Sequence, residues 1–305
     1  MNARQASRIA LLGTGKMGSA IARRLDEAGY GLTVWNRTRA RAEALGLGRI
    51  AASPADAVRD ADVVISSLTG PDALNATYFG AKGAISGATG QLFIDMSTAG
   101  PTAEIELGSA VRAAGASFVE APILGSPVVV AAGQAVVLVG GDGSDLQQAI
   151  PVLEAIGQTR SVGPLGSAAR LKLVANSMLA DVMEAAAELQ AAGQAAGLDT
   201  DDVFWVLQRL VPSLEGRRAG LLGDDHAPTQ FALRDLGKDV DLALALFRGS
   251  GARTPLTRSA SQLVGAAASQ TPDLDIAALS LPYRSGLDAA ATRSTASVAS
   301  PGEGM

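Results

Sequence analysis

The sequence predicts an α/β fold: a doubly wound parallel sheet, then one long interdomain helix, then an all-α second domain. Short apolar runs alternate with helical patterns through the first half, and only helical patterns recur in the second. Between a Gly-Pro-Leu-Gly turn and Gly193 there is neither proline nor glycine, which predicts one continuous helix. We therefore expect a sheet domain at residues 1–162 and a helical domain at residues 163–288, with the interdomain helix at residues 167–195. Residues 289–305 are rich in Ala, Ser, Thr and Gly and are predicted to be disordered.

Composition narrows the chemistry that the chain can perform. Its 305 residues, 48% of them hydrophobic, suffice for two packed domains. The formal net charge of −5, without a long basic run, favours neither nucleic acid nor a membrane surface as a partner. There is no cysteine and one histidine, His226, which excludes thiolate catalysis and most metal sites, so we predict no metal and no catalytic role for His226. Residues 1–7 are polar and carry no apolar signal region, so we expect a cytoplasmic protein.

A glycine-rich loop follows the first predicted strand, at residues 8–12, and precedes a predicted helix at residues 19–28. The loop consists of Gly13, Thr14, Gly15, Lys16, Met17 and Gly18. This is the strand, G-x-G-x-x-G, helix order of a dinucleotide-binding Rossmann unit. Gly13 permits the tight turn, Gly15 lets the backbone approach a pyrophosphate, and Gly18 lets helix and strand pack closely. The alternative is a glycine turn without a ligand.

The residues after the second strand indicate which nicotinamide cofactor is bound. This strand, at residues 32–35, is followed by Asn36, Arg37 and Thr38, with no acidic residue to accept hydrogen bonds from ribose hydroxyls. Arg37 can pair with a 2'-phosphate, with Asn36 and Thr38 as uncharged hydrogen-bond partners. We therefore favour NADP(H) over NAD(H). The alternative is a solvated arginine in an exposed charge run.

Two further strands are predicted at residues 63–66 and 92–95. In doubly wound sheets, ligands bind beyond the carboxyl ends of the strands, so the loops at residues 68–71 and 96–101 should face the cofactor. Leu68 lies in the first loop, and Ser97 and Thr98 lie in the second. The two hydroxyl residues can contact substrate and cofactor, or cap the helix that begins near Pro101, and the two interpretations are compatible.

A glycine-bearing connection joins the strands predicted at residues 117–121 and 135–139. Its Gly125-Ser126-Pro127 turn is either a simple connection or a loop that presents backbone N–H groups to a substrate carboxylate. A helix from Ser144 to about Ile156 then completes the sheet domain.

Lys172 and Asn176 stand four residues apart on the long helix and therefore share one face. Reduction of a carbonyl requires a proton donor at the developing alkoxide, and without cysteine the candidates are lysine, tyrosine and acids. Lys172 fits this role as the general acid, and its neutral amine is the base in reverse. The alternative is a surface lysine. Asn176 is a poor residue for a helix interior, so it either makes a specific hydrogen bond or is exposed.

The other notable residues of the helical half are expected to be structural. Asp181, Glu184 and Glu188 form a solvated face or pair with the second domain, whereas Trp205 and Phe231 pack in a core or an interface. Further helices are predicted at residues 200–210, 231–247, 257–268 and 276–281, with a loop-rich passage at 214–229.

Five ordered blocks together resemble the β-hydroxyacid dehydrogenase family, which includes 3-hydroxyisobutyrate dehydrogenases and glyoxylate and succinic semialdehyde reductases. The blocks are Gly13 to Gly18, Asp95-Met96-Ser97-Thr98, Glu120-Ala121-Pro122 with Gly125, Gly166 to Asn176 with Lys172, and Phe231 with Lys238-Asp239. The resemblance implies an N-terminal Rossmann domain, a long interdomain helix and a helical domain that supports dimerisation.

The same resemblance implies roles for individual residues. Lys172 is the catalytic residue, and Asn176 helps to orient the substrate. Thr98 and Lys238 contact the cofactor. The Gly125 loop receives the substrate carboxylate.

One departure from the family pattern concerns the substrate. Many family members have serine before the glycine of this loop, where this chain has Leu124, so a hydroxyl that contacts the acid group is missing. Ser126 follows Gly125 and can compensate. The departure leaves the hydride chemistry in place and opens the possibility of a more apolar or uncharged carbonyl.

We therefore predict an NADP(H)-dependent oxidoreductase that transfers hydride between the nicotinamide and a small aldehyde or keto acid and its hydroxy acid. Lys172 is the general acid/base, and the protein is a homodimer without nucleic-acid or membrane partners. One alternative is an imine reductase on the related fold, although those enzymes usually lack a lysine at the position of Lys172. The other is a non-catalytic NADP-binding scaffold.

Overall fold

The structure is a computed structural model that describes residues 7–284, so the predicted disordered tail at residues 289–305 lies outside the described residues. The chain divides into two compact units, Met1–Ala175 and Asn176–Met305. The division falls inside the long helix, whereas the sequence placed a domain boundary at the start of that helix. The predicted domain bounds stay a prediction.

The first unit is built on a nine-stranded sheet. Its strands are β1 (Arg8–Leu12), β2 (Gly31–Trp35), β3 (Arg49–Ile50), β4 (Val63–Ser66), β5 (Leu92–Asp95), β6 (Ser117–Glu120), β7 (Ile123–Leu124), β8 (Ala135–Gly141) and β9 (Gly157–Gly163). Their order is β3-β2-β1-β4-β5-β6-β8-β7, with β9 paired to β8. Since β1 lies between β2 and β4, the loops after these strands meet at the carboxyl edge of the sheet.

Both faces of the sheet are buried at its central strands β1, β4 and β5, which explains why these strands are apolar runs. Alternate residues of β1 point to opposite sides: Ile9 and Leu11 belong to one core, and Ala10 and Leu12 to the other. The second core also holds Phe93, and both cores are covered by helices. Fully burying a side chain as large as Leu or Phe contributes about 1.5–3 kcal/mol, so these strands fix the edge from which the ligand loops emerge.

The sheet is mixed, and this corrects part of the predicted parallel arrangement. All pairs among strands β1 to β6 are parallel, but β8 runs antiparallel to β6 and to β7. Strands β3, β7 and β9 were not predicted. The first two contain only two residues each, and β9 lacks apolar alternation but pairs along β8, so tertiary pairing decides its structure.

The helices of the first unit pack on the two faces of the sheet. They are α1 (Lys16–Glu27), α2 (Arg39–Leu45), α3 (Pro54–Val58), α4 (Pro71–Tyr78), α5 (Pro101–Ala113), α6 (Pro127–Ala131) and α7 (Gly143–Leu153), with a 3-10 helix at Ala84–Gly87. Helix α6 lies in the connection between β7 and β8, where the sequence predicted no helix. The prediction missed it because five residues carry too little helical pattern.

The second unit is helical, as predicted. It contains most of α8 (Ser167–Ala195), then α9 (Thr200–Leu210), α10 (Arg218–Leu222), α11 (Leu233–Gly249) and α12 (Pro255–Gln270), with 3-10 helices at Pro212–Arg217 and Ile276–Ser280. Its core includes Phe204, Leu236 and Val264. The passage predicted as loop-rich holds the first 3-10 helix and α10. Among the described residues, no helix is long and apolar enough to cross a bilayer.

Candidate active site

The glycine-rich loop has the packing that its motif predicts. A Cβ on Gly13 would overlap the Ser67 carbonyl oxygen, and one on Gly18 would overlap the Gly13 carbonyl oxygen. A Cβ on Gly15, in contrast, would meet no atom within 4 Å in the described part of the chain. Two of the glycines are therefore required by protein packing, whereas the space at Gly15 is open for a ligand.

The polar groups of this loop fit the pyrophosphate of a dinucleotide. Helix α1 begins at Lys16, and its N-cap, Gly15, offers no side chain to the first-turn N–H groups. The start of a helix attracts anions because these N–H groups and the helix dipole point outward. The Thr14 hydroxyl is buried and has no hydrogen-bond partner in residues 7–284. The residues present therefore fit the cofactor that the motif implies.

Asn36 connects the glycine-rich loop to the loop after β2. Its Oδ1 accepts from the Thr14 backbone N–H at 3.0 Å, and its Nδ2 donates to the Thr38 carbonyl at 2.9 Å. The amide of Asn36 thus holds two loops together. Arg37 and Thr38 are exposed beside it, while the neighbouring Arg39 is paired with Glu43 at 2.7 Å.

Ser97 fixes the loop that follows β4. Its hydroxyl accepts from the Leu68 backbone N–H at 2.9 Å and donates to Asp95 Oδ1, also at 2.9 Å. The N-cap of α5 is Gly100, and the hydrogen bonds of the Ser97 hydroxyl go to Leu68 and Asp95, so Ser97 does not cap this helix. The cap prediction failed for Ser97 because its hydroxyl finds a buried carboxylate two residues back along the chain.

Lys172 is held beside the loop that the sequence assigned to the substrate. It is partly buried, and its Nζ donates to the Ile123 carbonyl at 2.7 Å. Ile123 immediately precedes Leu124, the position at which the chain departs from its family, and Gly125 follows, exposed. Lys172 is therefore not the ordinary surface lysine of the alternative interpretation.

Glu120 determines where the lysine-bearing helix α8 begins. Its carboxylate accepts from the backbone N–H groups of Ala168, at 2.8 Å, and Ala169, at 3.2 Å. Burial raises the pKa of Glu120, and the helix N–H donors oppose this rise. Glu120 was part of a family block but was not singled out in the sequence, because a carboxylate 48 residues before a helix gives no local capping signal.

Ser126, the residue suggested to compensate for Leu124, has a structural role. It is the N-cap of α6, and its hydroxyl accepts from the Val129 backbone N–H at 3.5 Å. Leu124 itself is partly buried at the end of β7.

In the helical unit, Asn176 makes the specific hydrogen bond that was one of its two predicted outcomes. Its Nδ2 donates to Asp239 Oδ2, and both residues are buried. Asp239 also pairs with Lys238. Asp239, like Glu120, stood in a family block but was given no role of its own from the sequence.

Of the three acids on α8, Asp181 and Glu184 form hydrogen bonds within the helical unit, whereas Glu188 is exposed. Thr257 donates to Asp181 at 3.3 Å, and the Tyr283 hydroxyl donates to Glu184 at 3.2 Å. Burial raises the pKa of Glu184 to about 7. Trp205, in contrast, is 61% exposed on α9.

Two family models match the chain in succession. Residues 8–166 match the NAD binding domain of 6-phosphogluconate dehydrogenase, and residues 166–283 match the model described as NAD-binding of NADP-dependent 3-hydroxyisobutyrate dehydrogenase. A Rossmann unit followed by this helical unit defines an NAD(P)-binding dehydrogenase class.

Individual proteins show the same relationship. The chain is 32% identical to glyoxylate/succinic semialdehyde reductase 2, chloroplastic, of Arabidopsis thaliana, over 84% of this chain and 73% of the relative. It resembles the structure of Mycobacterium tuberculosis 3-hydroxyisobutyrate dehydrogenase with L-serine at 27% identity and a TM-score of 0.78, over 91% and 99% of the two chains. An imine reductase from Myxococcus stipitatus shares the fold alone, at 20% identity and a TM-score of 0.62, over 90% and 98%.

The chain belongs to the β-hydroxyacid dehydrogenase family.

Proposed function

We propose that the protein is an NADPH-dependent reductase of a small aldehyde or keto acid, with Lys172 as the general acid. The observation that carries the proposal is the hydrogen bond from Lys172 Nζ to the Ile123 carbonyl, which holds an ammonium against the Leu124-Gly125 loop. A general acid must be held within hydrogen-bond reach of the atom that it protonates. An ammonium anchored by a hydrogen bond to the backbone meets that requirement better than a mobile surface lysine.

The nicotinamide supplies the hydride, and the residues of the chain supply orientation and the proton. Lys172 stabilises negative charge that develops on the carbonyl oxygen and then donates a proton to it. In the oxidation direction, its neutral amine accepts the proton of the hydroxyl group. Because Asp239 fixes the amide of Asn176, we assign Asn176 the task of orienting the substrate. Thr98 and Lys238 are proposed cofactor contacts on the basis of the family alone.

NADP(H) is the proposed cofactor because of the residues after β2. No carboxylate is present in the Asn36-Arg37-Thr38 segment to receive ribose hydroxyls, and Arg37 is exposed there. A guanidinium binds a phosphate through paired, charge-assisted hydrogen bonds. The coarser conclusion, a nicotinamide cofactor, follows from the family models.

The proposed substrate class is a small carbonyl compound that carries or lies near an acid group. The Arabidopsis relative is named for glyoxylate and succinic semialdehyde, and the mycobacterial neighbour for 3-hydroxyisobutyrate. Leu124 offers no hydroxyl and the Ser126 hydroxyl caps α6, so backbone N–H groups of the Gly125 loop are left as the proposed carboxylate donors.

The function is tested by NADPH oxidation with succinic semialdehyde, glyoxylate, methylmalonate semialdehyde and a cyclic imine, with NADH as the control cofactor. We expect turnover of at least one semialdehyde or keto acid, and faster turnover with NADPH than with NADH. Turnover of the imine alone would contradict the proposed substrate class and support an imine reductase. Tight NADPH binding without any turnover would support a non-catalytic scaffold.

We also propose a cytoplasmic homodimer. Helix α9 exposes Trp205, Val206 and Leu210 on one side, and an exposed tryptophan with aliphatic neighbours is typical of a protein interface. Sedimentation equilibrium should give twice the chain mass for the wild-type protein and a shift towards the monomer for Trp205→Glu. A wild-type monomer at micromolar concentration would contradict the dimer.

A further inference from the structure

Five polar side chains lie buried together at the carboxyl ends of β4 and β5. They are Ser66, Tyr78, Asp95, Ser97 and Glu104. Ser66 and Asp95 are register partners in the sheet, and Ser66 Oγ donates to Asp95 Oδ1. The Tyr78 hydroxyl lies 2.6 Å from Ser66 Oγ. Ser97 donates to Asp95 through its hydroxyl, at 2.9 Å, and through its backbone N–H, at 3.1 Å.

Glu104, from the first turn of α5, is hydrogen-bonded to Asp95, so the two carboxyl groups share one proton. The hydrogen bonds indicate which residue carries it. Asp95 receives donors from Ser66 and Ser97, as a carboxylate requires, whereas Glu104 Oε2 is buried without a partner among residues 7–284. Burial and the nearby charge of Asp95 raise the pKa of Glu104 well above its ordinary range. Glu104 is therefore the neutral acid.

The direction of every hydroxyl in this group follows from the charge on Asp95. Because the carboxylate only accepts, Ser97 donates to it and has a lone pair for the Leu68 backbone N–H at 2.9 Å. This bond fixes the segment of Ser67 and Leu68, called the Leu68 segment below, which packs directly on the glycine-rich loop. A Cβ on Gly13 would meet Leu68 Cδ2 at 3.0 Å and would overlap the Ser67 carbonyl oxygen.

We propose that Glu104 is a positioning residue for dinucleotide binding. As a neutral acid it holds the Asp95 carboxylate in place, Asp95 fixes Ser97, and Ser97 holds the Leu68 segment against Gly13. The nature of the nucleotide, NADP(H), rests on the proposed function, whereas the chain of contacts does not.

Ionisation of Glu104 would place two negative charges in contact. The titratable groups that face it from neighbouring elements are Asp95 of β5, Tyr78 of α4 and Glu120 of β6, and all of them are acids. Ionisation of Glu104 should therefore loosen the Leu68 segment. A glutamine at position 104 keeps an N–H donor for Asp95 and cannot ionise, so it should remove this pH dependence.

The experiment compares wild type with Glu104→Leu, which removes the donor, and Glu104→Gln, which keeps it. Glu106→Gln is the matched control, since Glu106 is exposed on the same helix. Two quantities are measured: amide hydrogen exchange of the peptide containing Leu68 in the nucleotide-free protein, and the NADPH dissociation constant between about pH 6 and about pH 9.

We expect Glu104→Leu to exchange faster at Leu68 and to bind NADPH about ten-fold more weakly. Glu104→Gln should match wild type within about two-fold near neutral pH, and it should not weaken at any higher pH at which Glu104 of the wild type ionises. Wild-type exchange in Glu104→Leu would overturn the positioning role, and faster exchange with unchanged affinity would overturn its link to binding. A wild-type protein that binds neither NADPH nor NADH would instead refute the proposed function, while the exchange measurement would still test the contacts.

Discussion

At the scale of single residues, two polar side chains that the sequence assigned to ligands also hold loops. Asn36 bonds Thr14 and Thr38, and the Ser97 hydroxyl lies between Leu68 and Asp95. Motif reading gives the position of such residues but not the direction of their hydrogen bonds. In the loop after β2, the amide of Asn36 is engaged in these two hydrogen bonds. The proposed preference for NADP(H) over NAD(H) therefore rests on the exposed Arg37.

Arg37→Ala should raise KM for NADPH by about ten-fold, because a charge-assisted pair with the 2'-phosphate is lost. KM for NADH should change little, since NADH has no such phosphate. Steady-state kinetics with both cofactors measure the effect. The matched control is Arg41→Ala, an exposed arginine four residues further along. Equal loss with both cofactors would show that Arg37 supports the loop rather than the phosphate.

Asp239 shows how a site residue could have been found in the sequence. Leu236, Val240 and Ala243 are buried on α11, and Asp239 falls on the same face by helical spacing. A carboxylate on an apolar helix face is costly to bury unless it is paired, so its position alone predicts a partner. The partner, Asn176, lies 63 residues away and could be identified only from the structure.

At the scale of elements, helix α8 depends on a cap supplied by another element. The Glu120 carboxylate, at the end of β6, satisfies two N–H groups of its first turn and complements the helix dipole. The same helix carries Lys172 one turn further on. The start of the helix and the position of the lysine are therefore linked.

Glu120→Gln should lower the free energy of unfolding by about 1–2 kcal/mol. The NH₂ group of the amide cannot accept from Ala168 or Ala169, so one of these two helix N–H groups loses its partner. Denaturant unfolding measures the loss, with the exposed Glu106→Gln as the control. An unchanged unfolding midpoint would show that water caps the helix equally well.

The strands that could be predicted are those with their own apolar pattern. Strands β1, β2, β4, β5, β6 and β8 were all predicted, because burial on both faces produces short apolar runs. Strand β9 was missed because its residues are largely polar and its structure comes from pairing with β8. The antiparallel direction of β8 was missed as well, since an apolar run carries no information about strand direction.

At the scale of the whole molecule, each unit has its own core and its own buried acids. In the helical unit, Glu184 is buried, accepts from Tyr283, and has a pKa raised by burial to about 7. A raised acid pKa means that the folded chain binds the proton more tightly than the unfolded chain. Its contribution to stability is complete below the ordinary value of 4.5 and is lost as pH rises through about 7.

Glu184→Gln should therefore reduce the loss of stability between about pH 5 and about pH 8, by up to about 3 kcal/mol. Glutamine stays neutral over this range and keeps an acceptor for the Tyr283 hydroxyl. Denaturant unfolding at both pH values measures the difference, and Glu215→Gln, exposed in the same unit, is the control. Parallel pH profiles for wild type and Glu184→Gln would contradict the shifted pKa.

The central claim is that Lys172 supplies the proton, and one measurement tests it directly. This measurement is kcat for semialdehyde reduction by Lys172→Ala, together with its NADPH dissociation constant, against wild type and the exposed control Lys82→Ala. We predict a loss of about 10²–10⁴-fold in kcat with unchanged NADPH binding, which is the usual range for removal of a general acid. A kcat within about two-fold of wild type would contradict the account, because the proton would then come from another group.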